Sequence, residues 1–154
     1  MKPFTILLVI ALVINGLFAG MCFDVATVKL PTRKRIGAIA YAHFARNNDL
    51  GNGLKVYPYF FILSGLLSLA TALAAYVNNQ KAAVVIPLCM AGLTSIGCIF
   101  STSKAAPIMW SLRNTPDDET FLTRKLNRFA FWHAWRTLFQ VATFLFIGFA
   151  LAAL

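Results

Sequence analysis

FAFWHAWRTLFQVATFLFIGFALAAL, residues 129–154, is the stretch of sequence that decides the fold class. Its apolar run is long enough to cross the hydrocarbon core of a bilayer as a helix, for which about 20 residues are needed. Three other stretches share this property. The four predicted spans are 4–23, 57–77, 82–100 and 129–150. We therefore predict an all-α integral membrane four-helix bundle that forms a single transmembrane domain.

The composition agrees with a membrane protein, because 59% hydrophobic and 12% charged residues are too apolar for a soluble domain of 154 residues. The first span follows Lys2 and resembles a signal peptide. Its apolar run is long for such a peptide, and Asp24 follows it without a clean small-x-small cleavage site. We expect this helix to be retained.

The positive charges predict the orientation in the membrane. Of the 14 Lys and Arg residues, all but Lys2, Lys81 and Arg136 lie in the segments 24–55 and 101–128. The positive-inside rule then places both long segments in the cytoplasm and both termini outside, and we expect a bacterial inner membrane. The basic surface also suits anionic lipid headgroups, so membrane lipids are expected partners. Nothing in the sequence resembles a nucleic-acid-binding motif, despite the net charge of +9.

The three cysteines, Cys22, Cys89 and Cys98, lie in or at the end of apolar helices and form no CxxC motif. They are typical of packing residues, which argues against a thiol-relay enzyme. A disulfide would require two of them to meet in space.

The first long segment contains a pattern typical of a short amphipathic helix at about 33–47. One face would carry the residues at helical spacing Ile36, Ile39, Ala40, His43, Phe44 and Asn47. We expect this face, with His43, to point toward the bundle and Arg46 to lie on the wet side. Asp49 and the glycines that follow it predict a turn before the second span.

The second long segment continues the third helix until Pro107 interrupts or kinks it. Further on, Thr115 is a candidate N-cap, Pro116 suits the first helical position, and three acidic residues favour the positive end of a helix. A helix that begins there can continue into the fourth span.

Arg136 marks a candidate site, because an arginine at membrane depth costs about 2.5 to 3.5 kcal/mol on insertion scales and persists mainly at a protein interior or watery cavity. His133, Arg136 and Gln140 share one helix face by their i, i+3 and i+7 spacing. Each has a structural alternative: Arg136 can bridge to Asp24, and His133 can bond to water or a carbonyl. Gln140, like Asn15, can form a hydrogen bond between helices.

A common depth along the helices predicts one polar pocket that opens to the cytoplasm. Its expected catalytic residues are His133, Arg136, His43 and Asp24. Its expected substrate-binding residues are Trp110, Trp132, Tyr41 and Gln140, although the tryptophans, with Trp135, also suit anchors at the membrane interface.

The sequence WHAWRT at 132–137, preceded by Asn127 and Arg128, resembles the fourth-helix signature of the anthrone oxygenase family, which includes many small bacterial membrane proteins. The matching positions are Trp132, His133, Arg136 and Thr137. Pro107 also matches the end of the third helix in that family. Met109 stands where the family has an asparagine.

The resemblance implies that a polycyclic phenolic anthrone is oxidised by molecular oxygen without metal or flavin, so no cofactor is predicted. A neutral histidine, His133 or His43, would remove the proton, and Arg136 would stabilise the enolate oxygen. The aromatic side chains would hold a flat substrate.

Two other functions remain open from the sequence. The chain can be a non-catalytic accessory subunit of a larger membrane complex, or a homo-oligomer, because the last helix presents many phenylalanines. It can also bind a b-type haem or a quinone, with His43 and His133 as axial ligands of the haem.

Overall fold

The computed structural model describes residues 2–154, and these residues form helices and short connections without a strand. The helices are α1 (Pro3–Asp24), α2 (Leu30–Ile36), α3 (Ala38–Asn48), α4 (Tyr57–Val77), α5 (Ala82–Ser111) and α6 (Glu119–Ala152). A π-helical turn, Val25–Lys29, joins α1 to α2, and single 3₁₀ turns occupy Asn52–Lys55 and Leu112–Asn114.

Four helical segments are long and apolar enough to cross a membrane: Pro3–Ile36, Tyr57–Val77, Ala82–Asn114 and Glu119–Ala152. The prediction of an all-α membrane helical bundle is confirmed. The spans pack in a ring in which α1 contacts α4 and α6, and α5 contacts α4 and α6. Each span is antiparallel to both of its neighbours in the ring. The basic end of the bundle holds α2, α3 and the segment 112–118, and the short-loop end holds the 78–81 turn.

Two spans extend beyond the boundaries that the apolar stretches predict. Helix α5 continues through Pro107 to Ser111, so this proline does not end it. Helix α6 begins at Glu119 and continues without a break to Ala152, and its N-cap is Asp118, whose carboxylate accepts a 2.8 Å bond from the backbone N–H of Phe121. The prediction of Thr115 as the cap is wrong, because its hydroxyl donates instead to the carbonyl of Ser111.

The predicted amphipathic helix at 33–47 is divided into two helices. Residues up to Ile36 complete the first long helix, and Gly37, at φ 85°, ends it in a conformation that favours glycine. Helix α3 begins immediately afterwards. The Glu119 carboxylate from the first turn of α6 accepts hydrogen bonds from the backbone N–H groups of Ala38 (2.7 Å) and Ile39 (3.2 Å). This contact satisfies free donors at the start of α3.

The face of α3 that packs on the bundle is the opposite of the predicted one. Ala38, Tyr41, Ala42 and Ala45 are buried, whereas large apolar side chains such as Phe44 are exposed. In a helix at a membrane surface, large apolar side chains can face lipid, and small ones allow close packing against the protein. The sequence pattern alone does not distinguish these two arrangements.

His43 and Arg46 are correspondingly exchanged relative to the prediction. His43 is exposed, and its Nε2 lies 2.9 Å from a carboxylate oxygen of Asp117. Arg46 faces the protein and donates to the carbonyls of Leu112 (2.9 Å) and Thr115 (2.6 Å), and also to Asp117. Arg46 thus fastens α3 to the segment between α5 and α6.

The interior contains an apolar cluster at each end of the bundle and polar contacts between them. Near mid-span, the Gln140 amide donates to the Asn15 side-chain oxygen (2.9 Å). The Ser68 hydroxyl, which lies 2.7 Å from the carbonyl of Ser64, makes a longer contact of 3.3 Å with the same Asn15 oxygen. Cys22 and Cys98 are buried in one small cluster as free thiols, and Cys89 is exposed. The cysteines therefore pack without a disulfide.

Candidate ligand-binding site

A cavity of about 300 Å³ lies inside the ring toward the basic end. All four spans contribute to its wall, and the segment 49–54 covers it. That segment packs closely: a Cβ atom at Gly53 would lie 2.6 Å from the ring of Tyr57, so only glycine fits there without a shift. The cavity is thus formed by the bundle and partly covered by the turn that precedes α4.

Most of the cavity wall is apolar. Aromatic side chains come from every span: Phe18, Tyr57, Phe61, Trp110 and Phe129. Phe18 and Phe61 contact each other with ring centroids 6.2 Å apart. A wall of this kind, with a few convergent polar groups, is typical of a site for a small apolar molecule.

Arg136 supplies the one basic side chain among the cavity-lining residues. Its Nη2 donates to His133, and its Nε is buried without a hydrogen-bond partner. The ion pairs formed within residues 2–154 do not include Arg136. The positive charge is therefore uncompensated by an adjacent carboxylate, and an unmade hydrogen bond of a buried charged group is costly.

His133 is completely buried beside the cavity and holds Arg136 in position. Arginine can only donate, so the 2.6 Å contact from Arg136 makes Nδ1 of His133 the acceptor. The proton of a neutral ring then lies on Nε2, which donates to the carbonyl of Cys22 at 3.0 Å. Both ring nitrogens are occupied, so His133 orients the guanidinium and presents no free nitrogen to the cavity.

The Cys22 carbonyl is the anchor of this arrangement on α1. The hydroxyl of Thr137, one turn after His133, lies 3.2 Å from the same oxygen and 2.9 Å from the carbonyl of His133, and these two acceptors share its one proton. The π-helical turn begins three residues later, at Val25. Single π turns of this type are frequent at functional sites and occur where side chains insert into the backbone hydrogen-bond ladder.

Asp49 is the one carboxylate among the residues that line the cavity, and it is nearly buried. Burial raises the pKa of Asp49, while a hydrogen bond from Asn48 and the charges of Lys29 and Arg136 oppose that rise. The Thr102 hydroxyl also lines the cavity and is buried without a partner. The cavity therefore offers a cation, a carboxylate and a hydroxyl to one ligand.

Of the four predicted catalytic residues, the structure brings Arg136 and His133 together and separates the other two. Asp24 lies 3.5 Å from the ammonium group of Lys29, so it does not form the alternative bridge to Arg136. His43 lies at the outer surface of α3 with Asp117. The predicted convergence of His43 on the pocket is wrong, because α3 packs with its opposite face. That of Asp24 is wrong because its carboxylate, at the end of α1, pairs with Lys29.

Of the four predicted substrate-binding residues, Trp110 alone lines the cavity, where its indole also stacks against the Arg113 guanidinium at 4.8 Å. Tyr41 is buried in the apolar cluster at the basic end. Trp132 packs on Phe100 with centroids 6.0 Å apart. Gln140 forms the mid-span contact with Asn15, which is a hydrogen bond between helices of the kind predicted as its structural alternative.

The sequence interpretation missed Asp49, Thr102 and Cys22 as site residues. Asp49 falls in the turn that the glycine and asparagine residues after it predict, and a turn pattern does not mark it as a site residue. One signal in the sequence points to Asp49. Three of the five acidic residues are consecutive at 117–119, so Asp24 and Asp49 are the two isolated acids near the spans. The carbonyl of Cys22 carries no signal in the residue type.

The two histidines do not lie as a pair of axial ligands, since one is buried on α6 and the other is exposed on α3. Among residues 2–154, no group of three or more His, Cys, Asp or Glu side chains is arranged to hold a metal ion. No family model, curated protein or solved structure matches this chain.

Proposed function

We propose that the protein binds a flat phenolic or quinone-like molecule in the cavity and that Arg136 contacts an oxygen of that molecule. The observation that carries this proposal is an arginine without a carboxylate partner on the wall of an otherwise largely apolar cavity. In such a low-dielectric environment a guanidinium favours a phenolate or a polarised carbonyl strongly.

The size and the shape of the cavity support this ligand class. About 300 Å³ is at the lower end of the range of small-molecule pockets. Rings from all four spans can contact the faces of a planar molecule, and offset or edge contacts between aromatic rings are favourable. Trp110, half exposed at the basic end, can contact such a molecule and report its binding.

We further propose that the bound molecule reacts with oxygen in the manner implied by the anthrone oxygenase resemblance. A base removes one proton from the ring methylene, and Arg136 stabilises the enolate. Oxygen then takes up the electrons: one oxygen atom forms the new carbonyl at that carbon, and the other leaves as water with both methylene hydrogens. The substrate is oxidised by four electrons to a quinone, and oxygen is reduced.

Asp49 is the best base for this reaction, because it lines the same cavity as Arg136 and neither nitrogen of His133 is free. Burial makes its carboxylate a stronger base than an exposed aspartate by raising its pKa. His133 is then a positioning residue, which acts through Arg136.

Binding is tested with a hydroxyanthraquinone, through quenching of tryptophan fluorescence in the purified protein. Arg136→Gln should weaken binding roughly tenfold to a hundredfold, the range expected for one charge-assisted hydrogen bond. Arg128→Gln is the matched control, because it removes a charge from an exposed position of the same helix. Equal affinities of the two variants would contradict the proposal.

The reaction is tested by oxygen uptake with an anthrone. Asp49→Asn should abolish uptake but leave hydroxyanthraquinone binding within a few fold, since the amide is nearly isosteric. Arg136→Gln should lose uptake and also show the weaker binding described above. Binding without uptake in the unaltered protein would reject the oxygenase and leave a binding protein. No binding, together with stoichiometric partner chains after gentle purification, would favour the accessory subunit.

For the orientation, we propose that both termini lie outside the cytoplasm and the basic end lies inside, as in a bacterial inner membrane. The distribution of Lys and Arg supports this assignment. An alkaline phosphatase fused after Leu154 should be active, and a green fluorescent protein at the same position should be dark. The reverse pattern would overturn the orientation.

A further inference from the structure

A groove of about 210 Å³ lies between α2 and α6 at the basic end, with Arg33, Lys34, Ala130 and Ala134 among its lining residues. It shares no lining residue with the cavity that contains Arg136. We propose that this groove binds one anionic phospholipid, with the phosphate at Arg33 and Lys34 and an acyl chain against Ala130 and Ala134.

The depth of the groove suits a lipid that spans the boundary between hydrocarbon and headgroups. The helix from Pro3 to Ile36 has 34 residues. At a rise of 1.5 Å per residue it is about 51 Å long, which exceeds a hydrocarbon core of about 30 Å. Ala134 lies roughly 27 Å from the opposite end of α6 at Ala152, by the same rise. Ala134 is therefore near the hydrocarbon edge, and the basic side chains lie on its aqueous side.

The basic side chains of the groove lack a negatively charged hydrogen-bond acceptor among the described residues. Arg33 donates from Nη2 to the side-chain oxygen of Asn127 at 2.7 Å, while its Nη1 is buried and has no partner. Neither Arg33 nor Lys34 forms an ion pair within the described residues 2–154, and the groove has no acidic lining residue. A phosphate oxygen satisfies a planar guanidinium well, and Lys34 adds a second positive charge.

The shape of the groove favours a lipid over a free phosphate. Small side chains at Ala26, Ala130 and Ala134 leave an apolar trough that a phosphate ion does not fill but a chain of methylene groups does. A zwitterionic lipid also carries an ammonium group, which two nearby cations repel. Phosphatidylglycerol, with one net negative charge, matches both parts of the groove.

The test is titration of the detergent-purified protein with phosphatidylglycerol or phosphatidylcholine, followed by native mass spectrometry. We expect a first phosphatidylglycerol to bind more tightly than phosphatidylcholine. Arg33→Gln with Lys34→Gln should remove this preference, at about fivefold for each lost cation. The matched control, Lys104→Gln with Arg124→Gln, removes the same charge from exposed positions outside the groove and should retain the preference.

Two further variants keep the test decisive if the double variant folds poorly. Lys34→Gln alone changes an exposed side chain and should weaken phosphatidylglycerol binding about fivefold. Ala134→Phe fills the trough, keeps the charges, and should weaken binding as well. Equal losses in the control variant would show diffuse surface attraction and overturn the proposal. Displacement of the lipid by millimolar inorganic phosphate would show a small-anion site and overturn it too.

Discussion

Arg136 donates a 2.6 Å hydrogen bond to Nδ1 of His133, and this bond assigns the histidine as the Nε2–H tautomer that reaches the Cys22 carbonyl on α1. The two residues are three positions apart on α6, so the helix itself brings them together. A charge on α6 is in this way connected to the backbone of α1 through one imidazole. The histidine thus contributes by fixing the direction of the guanidinium.

His133→Asn should lower both stability and ligand affinity, because asparagine is too short to keep both hydrogen bonds and leaves space in a fully buried position. We expect a loss of about 2 to 4 kcal/mol in the free energy of unfolding. Thermal unfolding in detergent and hydroxyanthraquinone binding measure the two effects. His43→Asn, at an exposed position, is the control. If both variants behave alike, His133 does not hold Arg136.

Helix existence was predictable because an apolar run of about 20 residues has few alternatives in a membrane protein. The apolar stretches alone did not locate the ends of the helices, although Pro116 and the acidic residues 117–119 predicted a helix that starts near them and continues into the fourth span. Helix α6 extends ten residues before the predicted start at 129, because Asp118 caps it and its polar first turns lie outside the apolar stretch. A hydropathy pattern locates the hydrocarbon core, whereas caps locate the ends of the helix.

The candidate site was predictable only where spacing along one helix decided it. His133 and Arg136 meet because they are i and i+3 neighbours. The position of Asp49 depends on how α3 packs, and a pattern of apolar residues does not distinguish a face toward protein from one toward lipid. His43 was assigned to the wrong face for this reason, and Asp49 was missed.

Asp118→Ala should loosen the start of α6, because the carboxylate accepts a 2.8 Å bond from the backbone N–H of Phe121. Loss of such a cap costs about 1 kcal/mol. Hydrogen exchange of the Phe121 amide should accelerate by roughly the corresponding fivefold. Thr120→Ala, at an exposed position in the same turn, should leave the exchange rate nearly unchanged. Acceleration in both variants would show general fraying and contradict the role of the cap.

Acid should weaken the attachment of α3 to the segment between α5 and α6, because Asp117 in that segment loses its negative charge when it is protonated. The hydrogen bond from Arg46, and then that from His43, lowers the pKa of the Asp117 carboxyl from its ordinary value of 3.8. A depressed carboxyl pKa contributes stability that is present above the unfolded value and is lost as pH falls through the folded value. Hydrogen exchange of α3 amides, corrected for the intrinsic rate, should therefore rise below about pH 4.

Asp117→Asn should remove this acid dependence, and the remaining bonds from Arg46 to the Leu112 and Thr115 carbonyls should keep α3 attached at neutral pH. Because Asp117 is at the surface, high salt should reduce the effect in the unaltered protein. An unchanged acid response in Asp117→Asn would assign the response to another group.

Asn15 and Gln140 should be energetically coupled across the middle of the bundle, where the Gln140 amide donates to Asn15 at 2.9 Å between two buried side chains. Gln140→Leu leaves the Asn15 side-chain oxygen with the longer 3.3 Å contact from Ser68. Asn15→Leu removes the 2.9 Å acceptor of the Gln140 amide and leaves it the backbone carbonyl of residue 15 at 3.3 Å. The losses in the free energy of unfolding caused by the two single substitutions should therefore add up to more than the loss caused by the double substitution. Such pairs in membrane proteins couple by about 0.6 kcal/mol on average and up to about 1.7.

A double-mutant cycle of unfolding free energies measures this coupling energy. Thr94 on α5 and Thr143 on α6, whose hydroxyl oxygens lie 2.8 Å apart, are a second pair for comparison. Strict additivity for Asn15 and Gln140, with coupling retained between the threonines, would mean that the contact between the two side-chain amides adds no stability.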